Sequence, residues 1–178
     1  LHGGIDITLA EGTPLRAIGS GRVVALGTGG QAEGIYAWLQ HAPRETGLSF
    51  WVYSKYQHLS AVPPHAVGEA VRVGQQVGLS GKTGTTGGHY GVNGYPHLHL
   101  TTFAGPSSRY DIRGSRVVAE QARIFDPLAI YIPNLDNLDE VESLPTDRKK
   151  VPIPYVAADG SIRPADSRLV WPVSCGSH

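Results

Sequence analysis

Glycine and proline punctuate this chain at short intervals, and that spacing constrains its architecture more than any other feature. Twenty-three glycines and thirteen prolines are spread along the sequence instead of gathering into linkers, so the runs between turns are brief. Little helical periodicity is present before residue 115, and the runs read as short strands. Ile5, Ile7 and Leu9 alternate with Asp6 and Thr8, which predicts a strand with Asp6 on its polar face. Ile35 to His41 and Phe50 to Leu59 read as paired strands joined by a polar loop over 42–49. In the second of these, Phe50, Val52, Ser54, Tyr56 and His58 fall on one face by strand alternation. Gly12–Leu26 and Gly68–Gly81 share a turn-and-strand grammar that suggests a repeated β-hairpin unit.

The character changes after Phe103. Gly105 to Gly114 reads as a loop, and Ser115 to Phe125 as a short helix with Ser115 as its N-cap. Asp126-Pro127 opens a short apolar segment that ends at Ile132. From Asn134 the chain turns acidic, then basic, then proline-rich, which predicts an extended tail. The organisation expected is a domain over 1–133 and a tail over 134–178 that packs back on it.

Tyr95-Pro-His-Leu-His-Leu100 is where chemistry enters. On a strand, His97 and His99 share one face and Leu98 and Leu100 the other, with the two imidazoles roughly 6.5–7 Å apart at their Cα atoms. Alone, such a pair is as well explained by a half-exposed strand. His2 and Asp6 at the other end of the chain supply a second ligand-like pair. A straight strand would hold them roughly 13 Å apart, and Gly3-Gly4 between them can bend the backbone and close that gap. His58 ends a strand beside a tyrosine, and a capped surface histidine is an equally good reading of it alone. His41 and His65 have weaker claims still. Lys82 to Gly94 is a glycine- and threonine-rich loop, containing His89 and Tyr90, that leads into the His-x-His strand.

Composition excludes several alternatives. Lys plus Arg and Asp plus Glu are fifteen each, so no net field draws the chain to nucleic acid. The one cysteine, Cys175, rules out an internal disulfide framework or a cysteine-based zinc site. No apolar run approaches the ~18 residues of a membrane span. No signal-peptide pattern is read in these residues, and a start so close to a candidate ligand suggests a processed or truncated product. The closing Gly-Ser-His has the look of a cloning scar, so His178 is given no role. Eight histidines remain as the compositional clue. A catalytic zinc site needs three protein ligands and an open position for water. His2, Asp6 and one of His97 or His99 supply that set, with the other histidine of the pair beside the metal and His58 as a further proton-bearing group. Spacing alone does not say which of the pair is the ligand.

These residues resemble the lysostaphin/LytM-type zinc endopeptidases that cut peptides of bacterial peptidoglycan. The matching stretches are His2-Gly-Gly-Ile-Asp6, Gly12-Thr-Pro, Tyr56-Gln-His-Leu-Ser60, Gly74-Gln-Gln-Val-Gly78 with Gly81-Lys-Thr-Gly84, and His97-Leu-His99, in family order from residue 2 to about Tyr131. The resemblance implies a mainly β, largely antiparallel metallopeptidase fold with a narrow groove and few short helices. It implies one zinc ion per chain held by His2, Asp6 and His99, with His58 and His97 assisting catalysis. His89, Tyr90 and Tyr95 are the candidate substrate-binding residues. Peptidoglycan peptides are the expected partner, acted on by a monomer that is periplasmic, at the cell surface or secreted.

The chain departs from the family pattern in three places. Gly88 to Tyr95 looks inserted, Ala104 to Phe125 is longer than usual, and no strand precedes His2. Both longer segments are expected to border the groove. Arg168-Leu-Val-Trp-Pro-Val173 resembles the strand that commonly opens such domains, and three readings stand for it: it folds back and pairs beside the Asp6 strand, it belongs to a tail docked elsewhere, or the Trp-Pro is a chance match. The competing readings are a regulatory member of the family that binds cell wall or a wall hydrolase without turnover, and a domain whose zinc is structural.

Overall fold

The alternation read from the sequence becomes an antiparallel sheet in the computed structural model, which describes residues 3–84 and 94–176. Strands β1 (Ile5–Thr8), β2 (Pro14–Arg16), β3 (Gly21–Thr28), β4 (Ile35–His41), β5 (Trp51–Leu59), β6 (Ala70–Val71) and β7 (Gln76–Leu79) precede β8 (His97–Gly105). They are followed by β9 (Tyr110–Arg113), β10 (Arg116–Ala119), β11 (Arg123–Phe125), β12 (Tyr155–Val156) and β13 (Ile162–Arg163). The main sheet has the order β1-β8-β5-β4-β3-β6, and β11 continues the edge of β8 beyond β1. The chain therefore adopts a mainly β, antiparallel architecture, and among the described residues the α-helices are two short ones, α1 (Pro43–Thr46) and α2 (Thr146–Lys149). The polar loop expected over 42–49 contains α1, started by Pro43 at its first turn and closed by Gly47 at φ 81°.

One face of the sheet is core. Leu98 and Leu100 of β8, Val52 and Tyr56 of β5, and Ala37 and Leu39 of β4 pack there with Leu15, Ile18 and Leu59. The Tyr56 hydroxyl accepts the Ile18 N–H at 2.9 Å and donates to the Arg16 carbonyl at 3.0 Å, tying the sheet to the segment after β2. His41, at the end of β4, is fully buried on this face. Its Nδ1–H donates to the Ser20 carbonyl at 2.9 Å, so Nε2 accepts from the Ser54 hydroxyl at 2.8 Å. Both ring nitrogens are satisfied in the neutral form, and burial holds the imidazole below its ordinary value of 6.5.

Three expectations are corrected. Gly105 to Gly114 is not all loop and Ser115 to Phe125 is not a helix: β9 and β10 form a hairpin and β11 joins β8. Gly114 turns the hairpin at φ 61°, and alternation buries Val117 against Trp38 and Tyr53 while Val118 faces solvent. β-Branched packing on a half-buried surface thus outweighs the helix-forming composition of Ala119-Glu-Gln-Ala122. Ser115 caps no helix; its carbonyl accepts the Trp38 indole N–H at 3.0 Å. Second, the two repeated units are not separate hairpins, because β2 pairs with β7 and β3 with β6.

Third, the Trp-Pro-Val segment does fold back, but it pairs with residues 15–19 and not with β1. The Val170 N–H donates to the Ile18 carbonyl at 2.8 Å and the Arg16 N–H to the Pro172 carbonyl at 2.7 Å. Leu15, Ala17 and Ile18 are wholly buried and need a cover, which Leu169 and Val170 supply. Pro172 has no N–H to donate and uses only its carbonyl, as suits an outer strand. The Tyr131 hydroxyl donates to the Val170 carbonyl at 2.8 Å and its ring lies beside Trp171.

Val170 is fully buried, so Val170→Ala should cost about 1–2 kcal/mol and lower the thermal midpoint by roughly 3–6 °C. An unchanged midpoint would show that the segment contributes no packing. His41 makes a second expectation. The unfolded chain takes up the proton first, so this stability is complete above pH 6.5 and declines as pH falls below it. His41→Gln should flatten the fall in midpoint between pH 7 and pH 5, measured by thermal scans against the unsubstituted protein.

Candidate active site

Antiparallel register brings the two ends of the sequence together. Asp6 of β1 is the Cα partner of His99 of β8, and Thr8 is the partner of His97. Partnered residues share a face, so Asp6 and His99 both leave the sheet on the side opposite Leu98 and Leu100. The Asp6 Oδ1 lies 2.7 Å from His99 Nδ1 and 3.9 Å from His97 Nε2. His97 is nearly buried, whereas the His99 and Asp6 side chains keep 14% and 19% of their surface open. Gly4 permits the approach by its missing side chain: a Cβ there would meet the Leu100 carbonyl at 2.4 Å and His99 Nε2 at 3.0 Å.

His58 joins them by a route that strand parity does not predict. Counting from Tyr56, His58 would enter the core face. Instead a β-bulge intervenes, with Leu59 opposite Ile35 and Gln57 opposite Tyr36, leaving His58 as the extra residue at φ 62°. This turns its ring to the other face, 4.7 Å from the His97 ring centroid and 5.9 Å from that of His99. Thr83 pins the bulge. Its hydroxyl donates to the Leu59 carbonyl at 2.6 Å and accepts the Ile35 N–H at 3.0 Å, while its carbonyl accepts His58 Nδ1–H at 2.8 Å.

These contacts set the tautomers. A carbonyl only accepts, so His58 carries its proton on Nδ1, as does His97, whose Nδ1 lies 3.0 Å from the Tyr95 carbonyl. Nε2 is therefore the basic nitrogen of both rings. Burial outweighs the bond to the Thr83 carbonyl and lowers the His58 pKa. His99 Nε2 sits 3.1 Å from the Thr101 hydroxyl, which donates or accepts by rotating. Nδ1, the nitrogen facing Asp6, can therefore hold a proton or offer a lone pair.

Of the residues singled out from sequence, Asp6, His58, His97 and His99 come together, and the Tyr95 ring lies 5.2 Å from that of His97. His2, His89 and Tyr90 lie outside the described residues. Among the described residues no three His, Cys, Asp or Glu side chains form a metal-holding group by themselves. A carboxylate oxygen beside an imidazole nitrogen whose lone pair can be freed, with a hydroxyl behind the ring, is nevertheless the donor chemistry that suits zinc. A third protein ligand would complete that pair.

From His99 a cleft of about 400 Å³ runs along the sheet, over Gln57, Thr101, Lys55 and Trp38, to a wall made by β10 and Ile124. The longer segment at 104–125 therefore does border it. Two residues of this region were not singled out from sequence. Lys55 ion-pairs with Glu33 and lies over the rings of Trp38 and Tyr36, at 5.2 and 5.5 Å. Burial, offset by Glu33, lowers the Lys55 pKa. The one available signal was a lysine at mid-strand between two tyrosines.

The peptidoglycan DD-endopeptidase ShyA of Vibrio cholerae serotype O1 is 33% identical over 132 residues, which is 74% of this chain and 25% of that protein. An uncharacterized metalloprotease of Haemophilus influenzae is 34% identical over 98 residues, 55% of this chain and 18% of the other. The chain thus spans a quarter or less of the length of these curated relatives. Among solved structures, the catalytic domain of the antimicrobial peptidase lysostaphin from Staphylococcus simulans gives a TM-score of 0.48 at 30% identity, covering 61% of this chain and 71% of that one. The model of peptidase family M23 matches residues 1–108, and the chain belongs to that family.

Proposed function

We infer that the chain is a zinc-dependent endopeptidase that hydrolyses peptide cross-links or stem peptides of bacterial peptidoglycan. The observation that carries this reading is the convergence of Asp6, His58, His97 and His99 at the head of a cleft, in a chain of a peptidase family. The names of the relatives, a peptidoglycan endopeptidase and a metalloprotease, support the substrate and the metal. Such a substrate implies action outside the cytoplasm, in the periplasm, at the cell surface or after secretion.

His2, Asp6 and His99 would hold one zinc ion, and when bound it supplies a Lewis acid and a water acidified toward neutral pH. The remaining chemistry belongs to the side chains. The Tyr95 carbonyl holds His97 by Nδ1–H, which aims Nε2 toward Asp6, where it takes up or returns a proton. His58, held by Thr83, offers Nε2 as a second proton-exchanging position, and burial keeps it neutral and able to accept. Gly4 brings β1 against β8 so that carboxylate and imidazoles act on one centre. The cleft gives an extended peptide a wall to lie along and shields one side of the bond from bulk water.

Metal content and turnover separate these roles. Zinc-saturated protein should contain about one equivalent by elemental analysis, and His99→Ala or Asp6→Ala should lose most of it. Retention of zinc by both variants would overturn the ligand assignment. His97→Ala and His58→Ala should keep zinc while hydrolysis of purified peptidoglycan falls by roughly two to four orders of magnitude. Near-normal turnover would remove that histidine from the chemistry. Wall hydrolysis should also cease with a chelator and return with zinc, whereas a regulatory module would release no peptide under either condition.

A further inference from the structure

The cleft continues past the histidines into a chamber with its own chemistry. One strand repeat beyond His99 and its partner Gln57, roughly 7 Å along the sheet, lie Thr101, Lys55 and Trp38 in register. Trp38 and Phe103, with ring centroids 5.5 Å apart, make an aromatic floor, and Val117 closes the far side. The charges within it do not cancel. Glu33 neutralises Lys55 and accepts a second bond from Ser115, so its carboxylate is already engaged. Arg116 also lines the chamber, close enough to Lys55 to oppose its charge, and among the described residues it meets no carboxylate. Lys55, paired with Glu33 behind it, and Arg116, exposed at the rim, therefore leave a net positive charge beside an apolar, aromatic space that opens onto the site.

A neutral ligand would leave that excess charge uncompensated, and a cationic one would be repelled by it. A carboxylate would complete it, because a guanidinium offers paired donors that match carboxylate geometry. We propose that this chamber is a substrate subsite for a residue bearing an aliphatic side chain and a free carboxylate, one or two residues from the bond that is cut, with Arg116 binding the carboxylate. The proposal rests on the endopeptidase reading for its location and adds to it the class of peptide selected. Arg116 stands at the start of β10, within the 104–125 segment where this chain departs from the family pattern, so the selectivity belongs to this chain's own hairpin.

Binding tests the subsite without turnover. The Trp38 indole N–H, which donates to the Ser115 carbonyl, reports the chamber in ¹H–¹⁵N spectra, and Trp51 and Trp171 serve as controls. N-acetyl-leucine and N-acetyl-leucinamide, each as both enantiomers, are the probes. The acid of at least one enantiomer should shift the Trp38 signal and bind about tenfold or more tightly than its amide. Arg116→Gln should abolish that preference, and Arg116→Lys should restore only part of it. Equal binding of acid and amide, no shift with either, or a preference that survives in Arg116→Gln would overturn the proposal. Turnover supplies the second arm. Native peptidoglycan should be cut about tenfold or more faster than peptidoglycan whose carboxylates have been amidated, with the ratio near one in Arg116→Gln. If the unsubstituted protein cuts neither form, the endopeptidase reading fails, while the Trp38 titration still decides the subsite.

Discussion

Everything at the site depends on the register of β8. The strand is hydrogen-bonded along both edges, to β5 on one side and to β1 and then β11 on the other. Leu98 and Leu100 are buried on its core face, so a slip of one residue would drive two imidazoles into the core and expose two leucines. Burial of those leucines therefore aims His97 and His99. The same register makes Asp6 the direct partner of His99 across 93 residues of sequence. A contact of core packing thus becomes a contact of chemistry on the opposite face.

The bulge at His58 shows the complementary device. Regular alternation delivers the side chains of alternate residues to one surface, and a site often needs a group that alternation would place elsewhere. One inserted residue resets the parity. Thr83 meets both strands that flank the irregularity as well as the displaced ring, so a single threonine stabilises a backbone that would otherwise lack partners. The Gly81-Lys-Thr-Gly84 stretch has its structural reason here. A Cβ at Gly84 would meet the Gly34 backbone nitrogen at 1.9 Å, so the turn that carries Thr83 packs directly on the start of β4.

Alternation makes β1, β4, β5 and β8 legible in the sequence, and it places Asp6, His97 and His99 on polar faces. Parity misassigns His58, because a bulge leaves no mark in composition. The segment from 115 to 125 misleads for a different reason. Val-Val-Ala-Glu-Gln-Ala is compatible with a helix locally, and burial of Val117 against Trp38 and Tyr53 decides for a hairpin. The return of residues 169–173 is suggested by their resemblance to an opening strand, but the partner is not legible, since an outer strand pairs with whichever edge leaves the most surface uncovered. Lys55 and Glu33 escape notice because 22 residues separate them and neither belongs to a motif.

The pairing of residues 15–19 with residues 169–173 also bears on how the molecule assembles. Arg16 and Ser174, which share a hydrogen bond at 3.0 Å, are separated by 158 residues, so this contact closes nearly the whole chain into a loop. Loop-closure entropy grows only slowly with length, yet contacts of such separation are reached slowly and form after local pairings such as β3–β4 are in place. Interactions absent from the folding transition state act on the rate of opening and leave the rate of folding nearly unchanged. The C-terminal segment thereby works as a latch: it adds little to the speed with which the sheet forms and much to the time for which it stays closed.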